Sequence, residues 1–256
     1  MRLKTVSAAF LMLILISFSS ASAEVISFGD TAKYWPGWNN GTGDDNKDTI
    51  GDPNFNPNNA GGSATFDGGK LTSLSFTVAN PSAPASWNAN LTPGDLFLST
   101  NSDSNWEYIV DLTIASTWVV PGPTSGNVPE GNYSIYAVDI PLGSSGSNPG
   151  YTLTSGWSGF DIREKHPVAW GGAFSEEIGK VYFSGWGTNP SFDFTNLGGG
   201  LMLSGPELII GWTVNCANDV IYEKISAPVP EPATMLLLGT GLVGLAGLGR
   251  RKFLKK

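Results

Sequence analysis

Apolar and polar residues alternate along the middle of the chain, and this alternation determines the predicted fold. In residues 71–78, for example, Leu74, Phe76 and Val78 are separated by small polar residues. A period of two places successive side chains on opposite faces, as in a half-buried β-strand. The same alternation, or a short apolar run, predicts further strands at residues 95–99, 106–112, 133–140, 180–184, 191–194 and 207–214.

Clusters of Gly, Pro, Asn and Ser separate these segments, and no convincing ten-residue helical period occurs between them. Many short strands between such turns predict an all-β fold of the β-sandwich or jelly-roll kind. Residues 95–100 and 106–112 are expected to pair as a hairpin through the turn at 101–104. Residues 25–62 are polar, contain a turn cluster at 53–62 and offer few core positions.

The C-terminal segment has a different pattern. Residues 233–248 carry no charge over 16 positions and are followed by Arg250, Arg251 and Lys252. A helix of this length would measure roughly 24 Å, slightly less than the ~30 Å hydrocarbon core of a bilayer. Long basic side chains can reach the interface and the bilayer can thin locally, so we predict a transmembrane helix with a cytoplasmic basic stop. A buried core helix is the less favoured alternative.

The N-terminal segment is typical of a secretory signal peptide. Arg2 and Lys4 precede an apolar run at 8–16, and the small residues 21–23 provide a cleavage site. We therefore expect export by the secretion machinery and removal of the leader by signal peptidase. The predicted organisation is a signal peptide at 1–23, an exported β-sandwich domain at 24–227 and a membrane-directed segment at 228–256.

The motif Val229-Pro230-Glu231-Pro232, followed by the apolar run and the basic stop, resembles the PEP-CTERM sorting signal of Gram-negative bacteria. The resemblance implies that an exosortase, a transpeptidase-like membrane protease, processes an inner-membrane-anchored precursor near this motif. Such proteins occur in bacteria that build exopolysaccharide and biofilm, which implies a destination at the cell surface or in the extracellular matrix. Residues 212–221 are similar to a closing segment of one subgroup of these proteins.

Charge restricts the partners of the exported part. The whole chain has a formal net charge of −8, but half of its 14 basic residues lie in the two terminal segments. Residues 24–228 therefore carry 21 acids against seven bases, a net charge of −14. This charge argues against binding nucleic acid or an anionic polysaccharide by electrostatic attraction. Cys216 is the one cysteine, so stability must come from the core, with or without metal, and not from an intrachain disulfide.

Two oxygen-rich segments are candidate calcium sites. Calcium prefers carboxylate, amide and carbonyl oxygens, and the first candidate set consists of Asp44, Asn46, Asp48 and Asp52. Its spacing matches the start of a calcium loop but lacks the Gly and Glu at the later loop positions, so a solvated acidic loop is the favoured alternative. Ordinary turn chemistry is favoured even more strongly for the second set, which is Asn101, Asp103, Asn105 and Glu107.

Aromatic residues in a polar loop are candidate glycan-binding residues. Tyr34, Trp35 and Trp38 lie beside Asn and Asp residues. Aromatic faces stack on sugar rings while amides and carboxylates bind hydroxyl groups. The alternative, which we favour, is that these rings pack over one end of the sandwich. The same two interpretations apply to three tryptophans beside glycines: Trp157, Trp170 and Trp186.

Catalysis has little support in the sequence. His166, the only histidine, lies beside charged residues at a turn, and the chain contains no Gly-x-Ser-x-Gly nucleophile motif. Cys216 is near Trp212 on an apolar strand, which it is expected to complete as the last strand of the domain, and it is better explained as a packed thiol. Acidic pairs could serve a glycosidase, but some pair will always look suitable in so acidic a chain. The two pairs considered are Glu176 with Glu177 and Glu107 with Asp111.

The sequence therefore predicts an exported surface or extracellular-matrix protein that is structural or carbohydrate-binding and not catalytic. Exopolysaccharide is its expected partner and calcium its candidate cofactor. A secreted glycoside hydrolase or lyase that acts on polysaccharide is the alternative.

Overall fold

The computed structural model of the protein describes residues 23–31, 58–79, 93–101, 104–112, 130–142, 169–170, 172–186, 189–213, 220–228 and 239–242. Strands make up 63% of these residues, so the predicted all-β class is confirmed. The eleven strands are β1 (Glu24–Phe28), β2 (Asn58–Asp67), β3 (Lys70–Ala79), β4 (Leu96–Ser99), β5 (Asn105–Val110), β6 (Gly131–Pro141), β7 (Glu176–Ser184), β8 (Ser191–Asp193), β9 (Leu201–Met202), β10 (Glu207–Thr213) and β11 (Val220–Ser226).

The described strands form one antiparallel sheet. Its order is β1-β2-β3-β8-β7-β6-β5-β4-β10-β11, and β9 pairs with β3 beside this path. The last strand, β11, comes back to lie near β1 and β2, so the sheet is almost closed into a barrel. The predicted arrangement as a two-sheet sandwich or jelly roll is therefore corrected to a nearly closed barrel.

Register shifts explain how a single sheet can curl this far. Four shifts interrupt the pairing, two between β2 and β3, one between β5 and β6 and one between β6 and β7. Each extra residue bends its strand and increases the local twist, which closure of a barrel requires. In the first shift Gly61 has a φ of 100°, and a Cβ atom there would lie 2.3 Å from the Phe28 carbonyl oxygen. Only glycine allows β1 and β2 to approach so closely.

Aromatic rings fill much of the barrel interior. Trp212 of β10 stacks on Phe76 of β3, with ring centroids 4.6 Å apart and planes inclined by 17°. Phe76 also meets Phe192 of β8 edge to face at 5.9 Å. The Trp212 indole Nε1 donates to the Gly94 carbonyl at 3.2 Å. Because β3 and β10 are far apart in the strand order, the stack joins opposite walls of the barrel.

A second apolar cluster lies on the other face of β4 and β10. Phe97 and Ile209 belong to this outer cluster, whereas their sequence neighbours Leu98 and Ile210 belong to the interior core. Successive residues of a strand point to opposite faces, so both strands are buried on both sides. Trp170 and Phe174 both pack against this outer cluster.

The buried carboxylate of Asp95 attaches the Trp170 segment to this part of the sheet. Its Oδ1 accepts from the Leu112 backbone amide at 3.0 Å, and its Oδ2 accepts from the Trp170 backbone amide at 2.9 Å. A carboxylate can be fully buried only when such hydrogen bonds replace its hydration. Asp95 is thus a structural residue.

A second buried carboxylate closes the seam between the first and last strands. Glu223 lies on the interior face of β11, between Ile221 and Ile225 of the core. Its Oε1 accepts from the Thr31 backbone amide at 2.5 Å and from the Thr31 hydroxyl at 2.7 Å. Thr31 follows β1, so these two hydrogen bonds connect the ends of the sheet.

Most strands agree with the sequence pattern, and four were missed. The seven predicted strands correspond to β3 to β8 and β10, and β4 pairs with β5 as the expected hairpin. The missed strands are β1, β2, β9 and β11. The prediction of a turn cluster at 53–62 was wrong for residues 58–62, which form the first part of β2. Cys216 lies outside the described residues, and β11 follows it as a further strand.

By internal contacts the chain divides into two units, and the barrel belongs to the unit Ala23–Pro228. The other unit combines Met1–Ser22 with Val229–Lys256, and within it the described residues 239–242 form one helical turn. Among the residues that the structure describes, no helix is both long and apolar enough to cross a bilayer. The predicted signal peptide at 1–23 and the basic stop Arg250, Arg251 and Lys252 fall outside the described part, except for residue 23.

Replacing Trp212 with alanine should lower the free energy of unfolding by about 3–5 kcal/mol, because it removes a large buried ring and leaves a cavity. Urea denaturation of the purified protein measures this change. The control is Met202→Ala, which truncates a side chain that is 55% exposed. Equal stability of the two variants would contradict the role of the ring stack.

Replacing Glu223 with alanine should destabilise the seam by about 1–3 kcal/mol, because the Thr31 amide and hydroxyl lose their acceptor. Amide hydrogen exchange in β1 should accelerate more than exchange in β6. Lys224→Ala, which changes the exposed neighbour, is the matched control. The seam interpretation fails if β1 exchanges as slowly in Glu223→Ala as in the wild type.

Candidate functional site

The outer surface of β1, β2, β3, β8 and β7 is rich in hydroxyl groups, which eight of its ten register-aligned residues carry. Two rows of residues cross these strands, and their members lie directly opposite one another in the pairing register. One row is Ser27, Ser63, Ser75, Ser191 and Ser184. The other row is Val25, Thr65, Ser73, Asp193 and Tyr182. We call these ten residues the hydroxyl face.

This face is the polar half of the alternation that builds the interior. In β3, Leu74 and Phe76 point into the core while Ser73 and Ser75 point outward. Cross-strand hydroxyl pairs follow from the register. Ser63 and Ser75 are 2.8 Å apart between their Oγ atoms, and the Oγ atoms of Ser184 and Ser191 are 3.0 Å apart.

An exposed tyrosine lies at the β7 end of the hydroxyl face. Tyr182 is 38% exposed, and it lies between Asn132 of β6 and Asp193 of β8 in the register. The side-chain amide of Asn196 donates to Asn132 Oδ1 at 3.3 Å, and this hydrogen bond connects the β8 side of Tyr182 to the β6 side. Asp193 Oδ1 accepts from the Thr195 amide at 2.8 Å and from its hydroxyl at 2.6 Å. We call Tyr182, Asn132, Asp193 and Asn196 the Tyr182 cluster.

An ion pair lies further along β7. Lys180 Nζ is 2.8 Å from Glu177 Oε1 and donates to Ser134 Oγ at 2.6 Å, while Ser134 Oγ donates to Glu177 Oε2 at 3.2 Å. The hydrogen bond from Lys180 lowers the pKa of the Glu177 carboxyl. Glu177 is therefore ionised at neutral pH, which is opposite to what a general acid in glycoside hydrolysis requires.

The Tyr182 cluster combines the kinds of side-chain groups with which proteins bind sugars. An aromatic ring offers an apolar face, and amide, carboxylate and hydroxyl groups offer donors and acceptors beside it. Within the hydroxyl face, Asp193 is the one charged residue, so the chemistry suits an uncharged, hydroxyl-rich ligand better than an ionic one.

Most of the sites predicted from the sequence lie outside the described residues. This holds for Tyr34, Trp35 and Trp38, for the calcium set Asp44, Asn46, Asp48 and Asp52, for the motif 229–232, and for Trp157, Asp103, His166 and Cys216. These assignments stay predictions.

The two described tryptophans of the aromatic set pack against other rings. Trp186 meets Trp212 edge to face at 6.4 Å, and Trp170 lies against the outer apolar cluster. Their positions agree with the packing interpretation.

The described members of the second oxygen-rich set point to separate partners. The Asn105 amide donates to Asp139 Oδ1 at 2.6 Å. Glu107 Oε2 accepts from the Thr100 amide at 2.7 Å and from its hydroxyl at 2.5 Å. No cluster of three or more His, Cys, Asp or Glu side chains that could hold a metal occurs within the described ranges.

The Tyr182 cluster does not stand out in the sequence. Tyr182 was counted only as part of a predicted strand, and its partners lie 50 residues before it and 11 residues after it. The available signal was the alternation of β7, which places Tyr182 on the face opposite Val181 and Phe183. Strand register was needed to bring Asn132 and Asp193 beside it.

The comparison with known proteins concerns the C-terminal segment. Residues 228–252 match the family described as the PEP-CTERM protein-sorting motif, which confirms the resemblance carried by Val229-Pro230-Glu231-Pro232. No curated protein and no solved structure matches the chain. The match therefore identifies the sorting signal and leaves the activity of the exported part to be argued from its own residues.

Replacing Lys180 with methionine should raise the pKa of Glu177 towards its ordinary value, because the hydrogen bond that lowers it is lost. NMR titration of the Glu177 carboxyl measures the shift, and Lys224→Met is the control. A carboxyl group whose pKa is lowered by folding stabilises the fold at pH values above its ordinary pKa. This stabilisation is lost as the pH falls through the pKa of the folded state. The difference in unfolding free energy between Lys180→Met and wild type should therefore shrink in acid. An unchanged Glu177 titration would contradict the pairing.

Proposed function

We propose that this PEP-CTERM domain-containing protein acts outside the cytoplasm as a non-catalytic, carbohydrate-binding component of the cell surface or extracellular matrix. The motif supports export through exosortase-type sorting and implies a membrane-anchored precursor that this machinery processes. The part released or displayed by such processing is the barrel unit. Its ligand has to be argued from its surface.

The observation that carries the proposal is the hydroxyl face with the Tyr182 cluster at its end. Serine and threonine hydroxyls both donate and accept hydrogen bonds, as sugar hydroxyls do. The exposed ring of Tyr182 adds an apolar surface for the C–H face of a sugar. Exopolysaccharide of the producing bacterium is the proposed partner, and calcium at Asp44, Asn46, Asp48 and Asp52 remains the one cofactor hypothesis.

One member of each acidic pair considered for hydrolysis is engaged by another side chain. Glu177 is paired with Lys180, and Glu107 holds the Thr100 amide and hydroxyl. A glycosidase needs one carboxylic acid with a raised pKa beside a carboxylate, and Glu177 has a lowered one. Glu177 therefore does not suit the role of general acid, and a polysaccharide hydrolase or lyase is the alternative function.

Retention on polysaccharides tests this function. We expect the purified protein to bind uncharged polysaccharides better than anionic ones, because the exported part is acidic. Binding of an uncharged polysaccharide should be nearly independent of salt, because salt screens only interactions between charges. The same samples are assayed for newly released reducing ends and unsaturated sugar products. Failure to bind any polysaccharide would overturn the binding function, and release of either product would overturn the non-catalytic assignment.

A further inference from the structure

The Tyr182 cluster defines a specific sugar subsite, and we propose that an uncharged polysaccharide binds there and runs crosswise over β8 and β3. This inference rests on the proposed function and adds the subsite, the ligand class and the direction of the chain. It is carried by the exposed ring of Tyr182 and by the amide and carboxylate groups placed beside it.

The geometry of the cluster suits one sugar ring stacked on Tyr182. Neighbouring strands lie about 4.8 Å apart, so Asn132 and Asp193 flank Tyr182 at about one strand spacing on either side. Both can reach hydroxyl groups at the edge of a ring that covers the tyrosine. The Asn196–Asn132 hydrogen bond at 3.3 Å fixes the amide orientation before binding.

Charge selects against an anionic sugar at this subsite. Asp193 is adjacent to Tyr182 in the register, and its carboxylate would repel a second negative charge. The nearest described cation along β7, Lys180, is already paired with Glu177 at 2.8 Å. A neutral sugar meets neither penalty, so uncharged glycans are the favoured class.

The path along β6 and β7 is less suitable than the path across the strands. In that direction the next aromatic residue is Tyr136, whose ring is stacked on Phe174 with centroids 4.1 Å apart. Lys180 lies between Tyr182 and Tyr136 in the register, and its ion-pair partner Glu177 lies directly opposite Tyr136. A sugar chain on this path would have to cover an ion pair and reach a ring that already has a partner.

The path across the strands offers uncharged polar groups at the next positions. Beyond Asp193 lies Ser73 of β3, directly opposite it, and Ser191 lies two residues from Asp193 on the same face of β8. These hydroxyls can extend the contact made at Tyr182, but they do not define the subsite. Because of them, affinity should increase with oligosaccharide length, which the Tyr182 subsite alone would not cause.

The test measures affinity for length series of cello-, xylo- and manno-oligosaccharides by calorimetry, using the full exported protein. Tyr182→Thr removes the ring but keeps a residue favoured in strands, whereas Tyr182→Phe keeps the ring. We expect Tyr182→Thr to bind every length about tenfold or more weakly, and Tyr182→Phe to bind within a few-fold of wild type. Met202→Ala, outside the cluster, should bind like wild type.

Two further variants test the direction. Replacing Ser73 and Ser191 together with alanine should weaken binding of long oligosaccharides about tenfold, because two hydrogen bonds are lost, and leave the shortest ones unchanged. Tyr136→Ala should leave all lengths unchanged. A length-specific loss in Tyr136→Ala instead of the serine variant would overturn the crosswise direction.

The possible outcomes distinguish failure of the Tyr182 subsite from failure of the proposed carbohydrate-binding function. If no glycan binds the wild type, the proposed function and the inference both fail. If wild type binds and Tyr182→Thr binds equally well with an unchanged melting temperature, the subsite is wrong while the function survives. Preference for anionic oligosaccharides through Tyr182 would overturn the ligand class.

Discussion

The barrel depends on a ring stack that joins two walls far apart in the sheet. Trp212 and Phe76 lie on strands that share no hydrogen bonds, yet their rings stack at 4.6 Å. A sheet can bring these strands face to face only by curling, and the register shifts in β2, β3, β6 and β7 allow that curvature. The buried aromatic surface stabilises the curled form, because a flat sheet would leave these rings in water.

Closure also determines what the outside of the barrel can do. Where β4 and β10 pass, the outer face is covered by a second apolar cluster. Where β1, β2, β3, β8 and β7 pass, the outer face consists mostly of small polar residues, with the exposed Val25 and Tyr182 at opposite ends of one row. The same alternation produces both, since the residues that face outward are apolar in one part and hydroxyl-bearing in the other. The proposed glycan binding concerns the part of the outer face where the described residues are polar.

The sequence predicted the strands better than their assembly. Alternation identified β3 and β5 because both carry large apolar residues at every second position. It missed β2, whose Gly61 and Gly62 look like a turn but are required for close packing against Phe28 and Ser75. The sandwich prediction failed because bulges depend on which strands pair and in which register, and the sequence alone does not reveal either. The Tyr182 cluster was missed for the same reason, since its members become neighbours only through strand register. The sorting motif, by contrast, is a contiguous segment and needed no fold to be recognised.

The seam between Thr31 and Glu223 has a consequence for the order of events during export. Thr31 follows the first strand of the barrel, whereas Glu223 belongs to the last strand. The sorting motif starts at residue 228, two residues after β11 ends. If export proceeds from the N-terminus, as the predicted signal peptide implies, the seam can form only after Glu223 has crossed the membrane. Closure of the barrel therefore depends on a residue near the end of the exported part, since Glu223 lies five residues before the first residue of the sorting motif.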